Sequence, residues 1–220
     1  MKPYYEQNGI TIYHGDCRQI VPMLGAFDLL LTDPPYGIGE SSKKVESRQR
    51  KEGGASKSLA NQRDYGSFNW DTTAPPRWVL DMLRESSEKQ ILWGGNYYEG
   101  LPAAKGWLVW DKQNGENDFA DCELAWTNLP IAVRMKQHLW NGMLRKGGED
   151  RFHPTQKPLE LMLWCIALAG DVKTILDPYC GSGTTGRAAK DLGKSAVLID
   201  LEEKYCELSA NRLSQEVLGI

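Results

Sequence analysis

Residues 174–200, TILDPYCGSGTTGRAAKDLGKSAVLID, hold the reading that decides the fold. Thr174 to Asp177 has the apolar, β-branched character of a buried strand, the stretch from Thr184 reads as a helix, and Ser195 to Asp200 reads as a second strand. The turn between them carries Gly181, Gly183 and Gly186 in G-x-G-x-x-G spacing, and Asp200 ends the next strand 19 residues after Gly181. Glycines there let the backbone approach a ligand closely, the following helix N-terminus favours an anionic group, and an acid at the next strand end can accept hydrogen bonds from ribose hydroxyls. Thr184 and Thr185 stand where a phosphate-binding loop would need Lys-Ser/Thr, so a nucleoside-containing cofactor is expected rather than a nucleoside triphosphate.

Only 34 residues follow Gly186, too few to complete a doubly wound sheet, so the remaining strands must come from earlier in the chain. Working outward, strands are expected at 11–14 (TIYH), 27–32 (FDLLLT) and 91–93, with a helix over 78–87, where apolar residues fall at 78, 79, 82 and 83. Residues 107–110 (WLVW) and 122–126 (CELAW) read as paired strands, and Pro158 opens a helix closed by Gly170. The expected class is α/β, with a doubly wound, mostly parallel sheet of Rossmann-like type and the cofactor half last in sequence. The strand that stops at Asp33 should then lie beside the strand that stops at Asp177, with both acids at the ligand-binding edge.

Asp33-Pro34-Pro35-Tyr36 follows the apolar run 27–32, and its prolines forbid further ladder pairing. A rigid acid-proline-proline-aromatic turn has a specific chemical use. The exocyclic amine of a nucleobase is a poor nucleophile because its lone pair is conjugated into the ring. A fixed carboxylate and a neighbouring backbone carbonyl can accept its two N–H bonds and direct the lone pair at an electrophile, while the aromatic ring stacks on the base.

With these residues in hand, the sequence resembles the DNA amino-methyltransferases that use S-adenosylmethionine. DPPYGIG (33–39) is similar to their catalytic motif, LDPYCGSGTT (176–185) to their cofactor motif, and HPTQKP (153–158) to the segment before the helix that packs beside the cofactor. Catalytic motif first and cofactor motif last is the circularly permuted order of the beta group, and WGGNYY (93–98) and HLWNGMLR (138–145) are similar to small phage and prophage members. The resemblance implies that Asp33, Pro34, Pro35 and Tyr36 hold the target amine and base. It implies that Asp33, Asp177, Tyr179, Cys180, Gly181, Ser182, Gly183, Thr184 and Thr185 line the methionine end of the cofactor. Asp200 would hold the ribose, Asp16 and Cys17 would face the adenine, and Lys157 would help to bind the cofactor. Aspartate rather than serine at position 33 leans toward adenine N6, with cytosine N4 as the alternative. An oxidoreductase binding a nicotinamide or flavin is what the glycine turn alone would allow.

Composition bears on the partner. The chain has 220 residues, 41% of them apolar, and a formal charge of −3, which at first argues against a polyanion. The charge is segregated: residues 43–63 carry seven Lys or Arg against two Glu, and residues 134–157 carry six against two acids, which leaves the rest strongly acidic. Two basic segments flanking the motifs fit contacts to the phosphates of double-stranded DNA. One methyltransferase domain is expected over 1–220, with a mobile basic loop at 40–67 and a small target-recognition insertion at 111–152. Trp70 and Trp140 are candidates for stacking on nucleic acid, whereas His14 and His153 read as structural. Cys17, Cys122, Cys165, Cys180 and Cys206 form no C-x-x-C pair, and no histidine cluster accompanies them, so neither a disulfide framework nor a metal site is indicated. MKPYYEQNGI lacks a secretion signal and no run of 18 apolar residues occurs, so no membrane partner and a cytoplasmic site are expected. Oligomeric state is left open, a homodimer being one option.

Overall fold

The computed structural model describes residues 1–38, 73–113, 120–140 and 156–214. Nine strands run in chain order: β1 Tyr5–Gln7, β2 Ile10–His14, β3 Phe27–Thr32, β4 Ser87–Trp93, β5 Gly106–Asp111, β6 Cys122–Thr127, β7 Arg134–Gln137, β8 Thr174–Asp177 and β9 Ser195–Asp200. The helices are α1 Cys17–Ile20, α2 Arg77–Glu85, α3 Leu159–Ala169, α4 Thr184–Asp191 and α5 Glu203–Ser214. All strands join one sheet in the order β1-β2-β9-β8-β3-β4-β6-β5-β7.

The five strands from β2 to β4 are mutually parallel. Strand β8 lies at the centre, with β9 on one side and β3 on the other. After β8 the chain winds outward one way, and after β3 it winds the other way, so the crevice between their C-terminal ends is a topological switch point. The expected pairing of β3 with β8 is present, with Leu29 opposite Ile175 and Leu30 opposite Leu176.

Alternation along the strands sends side chains into two cores. Leu29, Leu31, Ile91, Trp93, Ile175 and Leu198 face the layer that holds α3, α4 and α5, where Leu161, Cys165, Ala188 and Leu213 are buried. Leu30, Leu92, Leu176 and Ile199 face α1 and α2, against Ile20, Val79, Leu80 and Leu83. Strands covered on both faces explain the nearly continuous apolar runs of β3 and β8.

The differences from the sequence expectations have local causes. Helix α2 ends at Glu85 rather than 87, because the Ser86 hydroxyl caps back onto the Leu83 carbonyl and Ser87 already pairs with Phe27. Strand β4 therefore starts four residues earlier than expected. Strand β1 was not anticipated; it forms a hairpin with β2 across Asn8-Gly9, both at positive φ (51° and 77°), a two-residue turn signal present in the sequence. The expected insertion at 111–152 supplies β6 and β7, which are integral to the sheet, β6 running antiparallel to both β4 and β5. The rest of that stretch, 114–119 and 141–152, and the basic loop at 40–67 lie outside the described residues, as do Trp70 and His153. Trp140 is only 7% exposed, so it packs in the core rather than offering a free stacking face. Among the described residues no helix is long and apolar enough to cross a membrane.

Candidate active site

A cavity of about 310 Å³ opens at the C-terminal ends of β8, β3 and β9, within the size range of ligand pockets. One wall comes from the glycine turn. Gly183 sits at φ 74°, where an added Cβ would lie 2.8 Å from the Ser209 hydroxyl, and a Cβ on Gly186 would come within 2.5 Å of Leu198. The first glycine lets the turn lie on α5, and the second lets α4 lie on β9. Helix α5 also grips the turn from behind, with Ser209 donating to the Gly181 carbonyl (2.9 Å) and Arg212 to the Ser182 carbonyl.

Two acids project into this wall. Asp200 accepts the Gly181 amide on Oδ2 and the Glu202 amide on Oδ1, each at 2.9 Å, which leaves each oxygen a second acceptor site. Asp177 Oδ1 accepts from the Thr32 hydroxyl (2.8 Å) and the Tyr179 amide (3.2 Å). Burial pushes both carboxyls up to about 6. A buried and a half-buried carboxylate facing one cavity are suited to a ligand that carries hydroxyl donors and positive charge. At the cavity mouth Asp16 caps α1 and is clamped by Arg18 through both carboxylate oxygens (2.5–2.9 Å), and this hydrogen bonding holds its carboxyl below the usual range.

The opposite wall begins at Asp33, just past β3. Its Oδ1 accepts the Tyr36 hydroxyl (2.6 Å) and its Oδ2 accepts the Lys157 ammonium (2.5 Å). Lys157 is 4% exposed and also reaches Glu123 Oε2 at 3.0 Å and the Tyr36 hydroxyl oxygen at 3.1 Å. Glu123 in turn accepts Lys112 on Oε1 (2.5 Å), so two carboxylates and two ammonium groups form one nearly enclosed cluster. Gly94 makes this meeting possible. It ends β4 in a left-handed conformation (φ 74°), and a Cβ there would fall 2.1 Å from Tyr36 Cε1. The bare position admits the Tyr36 ring, with the Lys157 ammonium 5.5 Å from its centre.

The charges of the cluster act on one another. Burial raises the Asp33 carboxyl, with the nearby Glu123 charge adding to it and Lys157 opposing. For Glu123 burial is outweighed by Lys157 and Lys112, which hold it down to about 2. For Lys157 burial is likewise outweighed, by Asp33 and Glu123, so the ammonium keeps its proton. Beside the acid, the Pro34 carbonyl is fixed by the buried Tyr98 hydroxyl, which donates to it at 2.8 Å.

Of the residues named from sequence, Asp16, Cys17, Asp33, Pro35, Lys157 and Asp177 line the cavity, as do Tyr179, Cys180, Gly181, Ser182, Thr184, Thr185 and Asp200. Pro34, Tyr36 and Gly183 do not line it, although each is next in sequence to a residue that does. The Tyr36 ring, expected to stack on the base, carries Tyr97 stacked on one face at 4.9 Å and 16°. Lys157, expected at the cofactor, spends its ammonium on Asp33 and Glu123, and its burial removes it from the set of possible phosphate contacts; Lys136 is paired with Glu160 at 2.6 Å. Sequence reading missed Arg18, Tyr98, Lys112 and Glu123. Only the Tyr pair of WGGNYY gave a hint, since Glu123 and Lys112 belong to ordinary strand and turn sequence.

Comparison with known proteins bears on the family and the fold. The chain is 28% identical over 253 aligned positions to the type II methyltransferase M2.LlaDCHI of Lactococcus lactis subsp. cremoris, covering 97% of this chain and 93% of that protein. It is also 28% identical to the type II methyltransferase M2.DpnII of Streptococcus pneumoniae, with 98% and 93% covered. Among solved structures the fold is similar to the M1.HpyAVI–SAM complex (TM-score 0.55, 21% identity, 93% of this chain and all of that one). It is similar as well to the cytosine-N4-specific PvuII DNA methyltransferase (TM-score 0.60, 14% identity, 99% and 91% covered). The model of the N6/N4 DNA methylase family matches residues 88–211, more than half of the sequence, and the chain belongs to that family.

Proposed function

We propose that this DNA methylase transfers a methyl group from S-adenosylmethionine to the N6 amine of an adenine flipped out of double-stranded DNA. The observation that carries the reading is the placement of Asp33 and the fixed Pro34 carbonyl one strand away from the Asp177 and Asp200 wall, with Asp33 and both wall acids opening on one cavity. The cavity suits that cofactor, because its acids match a ligand with ribose hydroxyls and a cationic end. When bound, S-adenosylmethionine supplies a methyl group on an electrophilic sulfonium. Asp200 would hold the ribose, with Asp16 and Cys17 near the base and Asp177 and the 179–185 turn along the methionine end.

On the other wall, Asp33 and the Pro34 carbonyl would accept the two N–H bonds of the amine and turn its lone pair toward the cavity. Catalysis would thus rest on positioning and fixed dipoles, without a histidine base. His14 fits this reading, its Nε2 lying 3.1 Å from the Leu201 carbonyl, outside the Asp33 cluster. Adenine is preferred over cytosine N4 because position 33 is aspartate. The basic segment at 43–63 and the part of 111–152 outside the sheet would contact phosphates and read the target, in a bacterial or phage-infected cytoplasm.

The test is incubation of the protein with S-adenosylmethionine and unmethylated duplex DNA, followed by digestion to nucleosides and mass spectrometry. N6-methyladenine is the expected product. N4-methylcytosine without it would overturn the base assignment, and no methylated base of either kind would overturn the reading.

A further inference from the structure

On the reading above, Asp33 must accept an N–H bond from the target amine at an oxygen that already has a partner, the Tyr36 hydroxyl on Oδ1 or the Lys157 ammonium on Oδ2, so the amine competes with that partner for the carboxylate's charge. A charge-assisted hydrogen bond is stronger than one from a neutral amine, so an ammonium bound to Asp33 alone would weaken the carboxylate as an acceptor for its substrate. Simply breaking that pair would be no remedy. At 4% exposure Lys157 cannot turn to water, and an ammonium left unpaired inside the protein is strongly unfavourable.

The structure supplies a second carboxylate. Glu123 reaches over the end of β4 from β6 and meets the same ammonium at 3.0 Å. The three N–H bonds of Lys157 are therefore spread over Asp33, Glu123 and the Tyr36 hydroxyl oxygen. Lys112, just past β5, fixes the far oxygen of Glu123 at 2.5 Å, so this carboxylate is anchored independently of Lys157.

We propose that Glu123 is a positioning residue for the methyl transfer: it retains Lys157 when the target amine takes the Asp33 oxygen, so that the ammonium leaves the reacting carboxylate without losing a counter-charge. A shift of the ammonium between two oxygens it already touches is enough. Glu123 touches neither cofactor nor base in this scheme and acts only through Lys157. The proposal rests on the methylase reading and adds to it a residue that lies in none of the sequence motifs.

The experiment measures single-turnover methyl transfer at saturating cofactor and DNA, together with cofactor affinity, for the unmodified protein, Glu123→Gln and Glu123→Asp. Gln keeps the shape and removes the charge; Asp keeps the charge and shortens the reach. The expected loss in rate is about 30-fold for Gln and about fivefold for Asp, with cofactor affinity unaltered in both. A Gln variant as fast as the unmodified protein, equal losses in the two variants, or a loss of cofactor affinity in step with rate would each overturn the proposal. Should the Gln variant fail to fold, Asp decides alone: an unaltered rate overturns the proposal, and a slower rate with intact cofactor binding supports it. Failure of the unmodified protein to methylate DNA would instead sink the underlying reading.

Discussion

The two walls of the cavity are assembled over very different distances in sequence. The Asp177 and Asp200 wall comes from one β-turn-α-β unit and is braced by the helix that follows it, so its parts lie within about forty residues of one another. The Asp33 wall gathers Asp33, Lys112, Glu123 and Lys157 from four separate segments, and the Asp33–Lys157 contact alone spans 124 residues. The first wall is a matter of backbone shape and missing side chains. The second is a balance of buried charges, in which each member depends on the others.

If the walls divide the work, variants should split along the same line. The largest effect belongs to Asp33→Ala, which should lower single-turnover methyl transfer by about 10³-fold while leaving cofactor affinity intact. Calorimetry with the variant checks the second half, and loss of cofactor binding would merge the walls into one site. Next come two left-handed glycines, one from each wall. Gly94→Ala drives a methyl group into the Tyr36 ring and should slow transfer about 30-fold at unaltered cofactor affinity. Gly183→Ala pushes the turn off Ser209 and should weaken cofactor binding about tenfold with transfer at saturation preserved.

Acidification addresses the first wall through Asp177 and Asp200, whose carboxyls stand at about 6. A cationic cofactor requires them ionised, so its affinity should fall about tenfold between pH 7 and pH 5, as titration calorimetry would show. Stability of the cofactor-free protein should move the opposite way. A carboxyl raised from 3.8 to about 6 binds more protons folded than unfolded, so its stabilising contribution is full below about pH 4 and is lost as pH rises through 6. Thermal unfolding without cofactor should therefore show these two acids favouring the fold more at pH 5 than at pH 7.5. The smallest effect is expected for Tyr36→Phe, which keeps the ring against Tyr97 and removes one donor to Asp33 and one acceptor of Lys157, whose ammonium keeps both carboxylates: about threefold in rate. A larger loss would give the hydroxyl a share in the chemistry that the present geometry does not require.

The same contrast explains what could be read from sequence. The glycine turn and Asp200 were legible because their spacing is local and each glycine answers to a nearby steric demand. The β3 and β8 pairing followed from counting how many residues remained after Gly186. Glu123 was invisible because a single glutamate beside the apolar residues Leu124, Ala125 and Trp126 looks like an outward-facing position. Only the sheet order, which inserts β6 beside β4, turns it toward Lys157. Lys157 was noticed for its motif, yet its partners lie 124 and 34 residues away in sequence, and no periodicity encodes that. Tyr97 over Tyr36 was hidden for the same reason: adjacency in the fold follows from the Gly94 turn, not from the tyrosines themselves.

The position of β8 and β9 in the middle of the sheet bears on how the chain is made. Strand β2 has only the short hairpin strand β1 beside it until β9 arrives, since Ile10 must find Ala196, and β3 lacks its inner neighbour until β8 arrives. During synthesis, the first strands to emerge must wait for nearly the last ones, with apolar edges uncovered throughout. Such long-range parallel pairing is slow to form and exposes intermediates to aggregation. A nascent chain halted before residue 174 would hold every residue of the Asp33 wall and the strands β3, β4, β5 and β6 that carry it, but would lack the Asp177 and Asp200 wall that it must face.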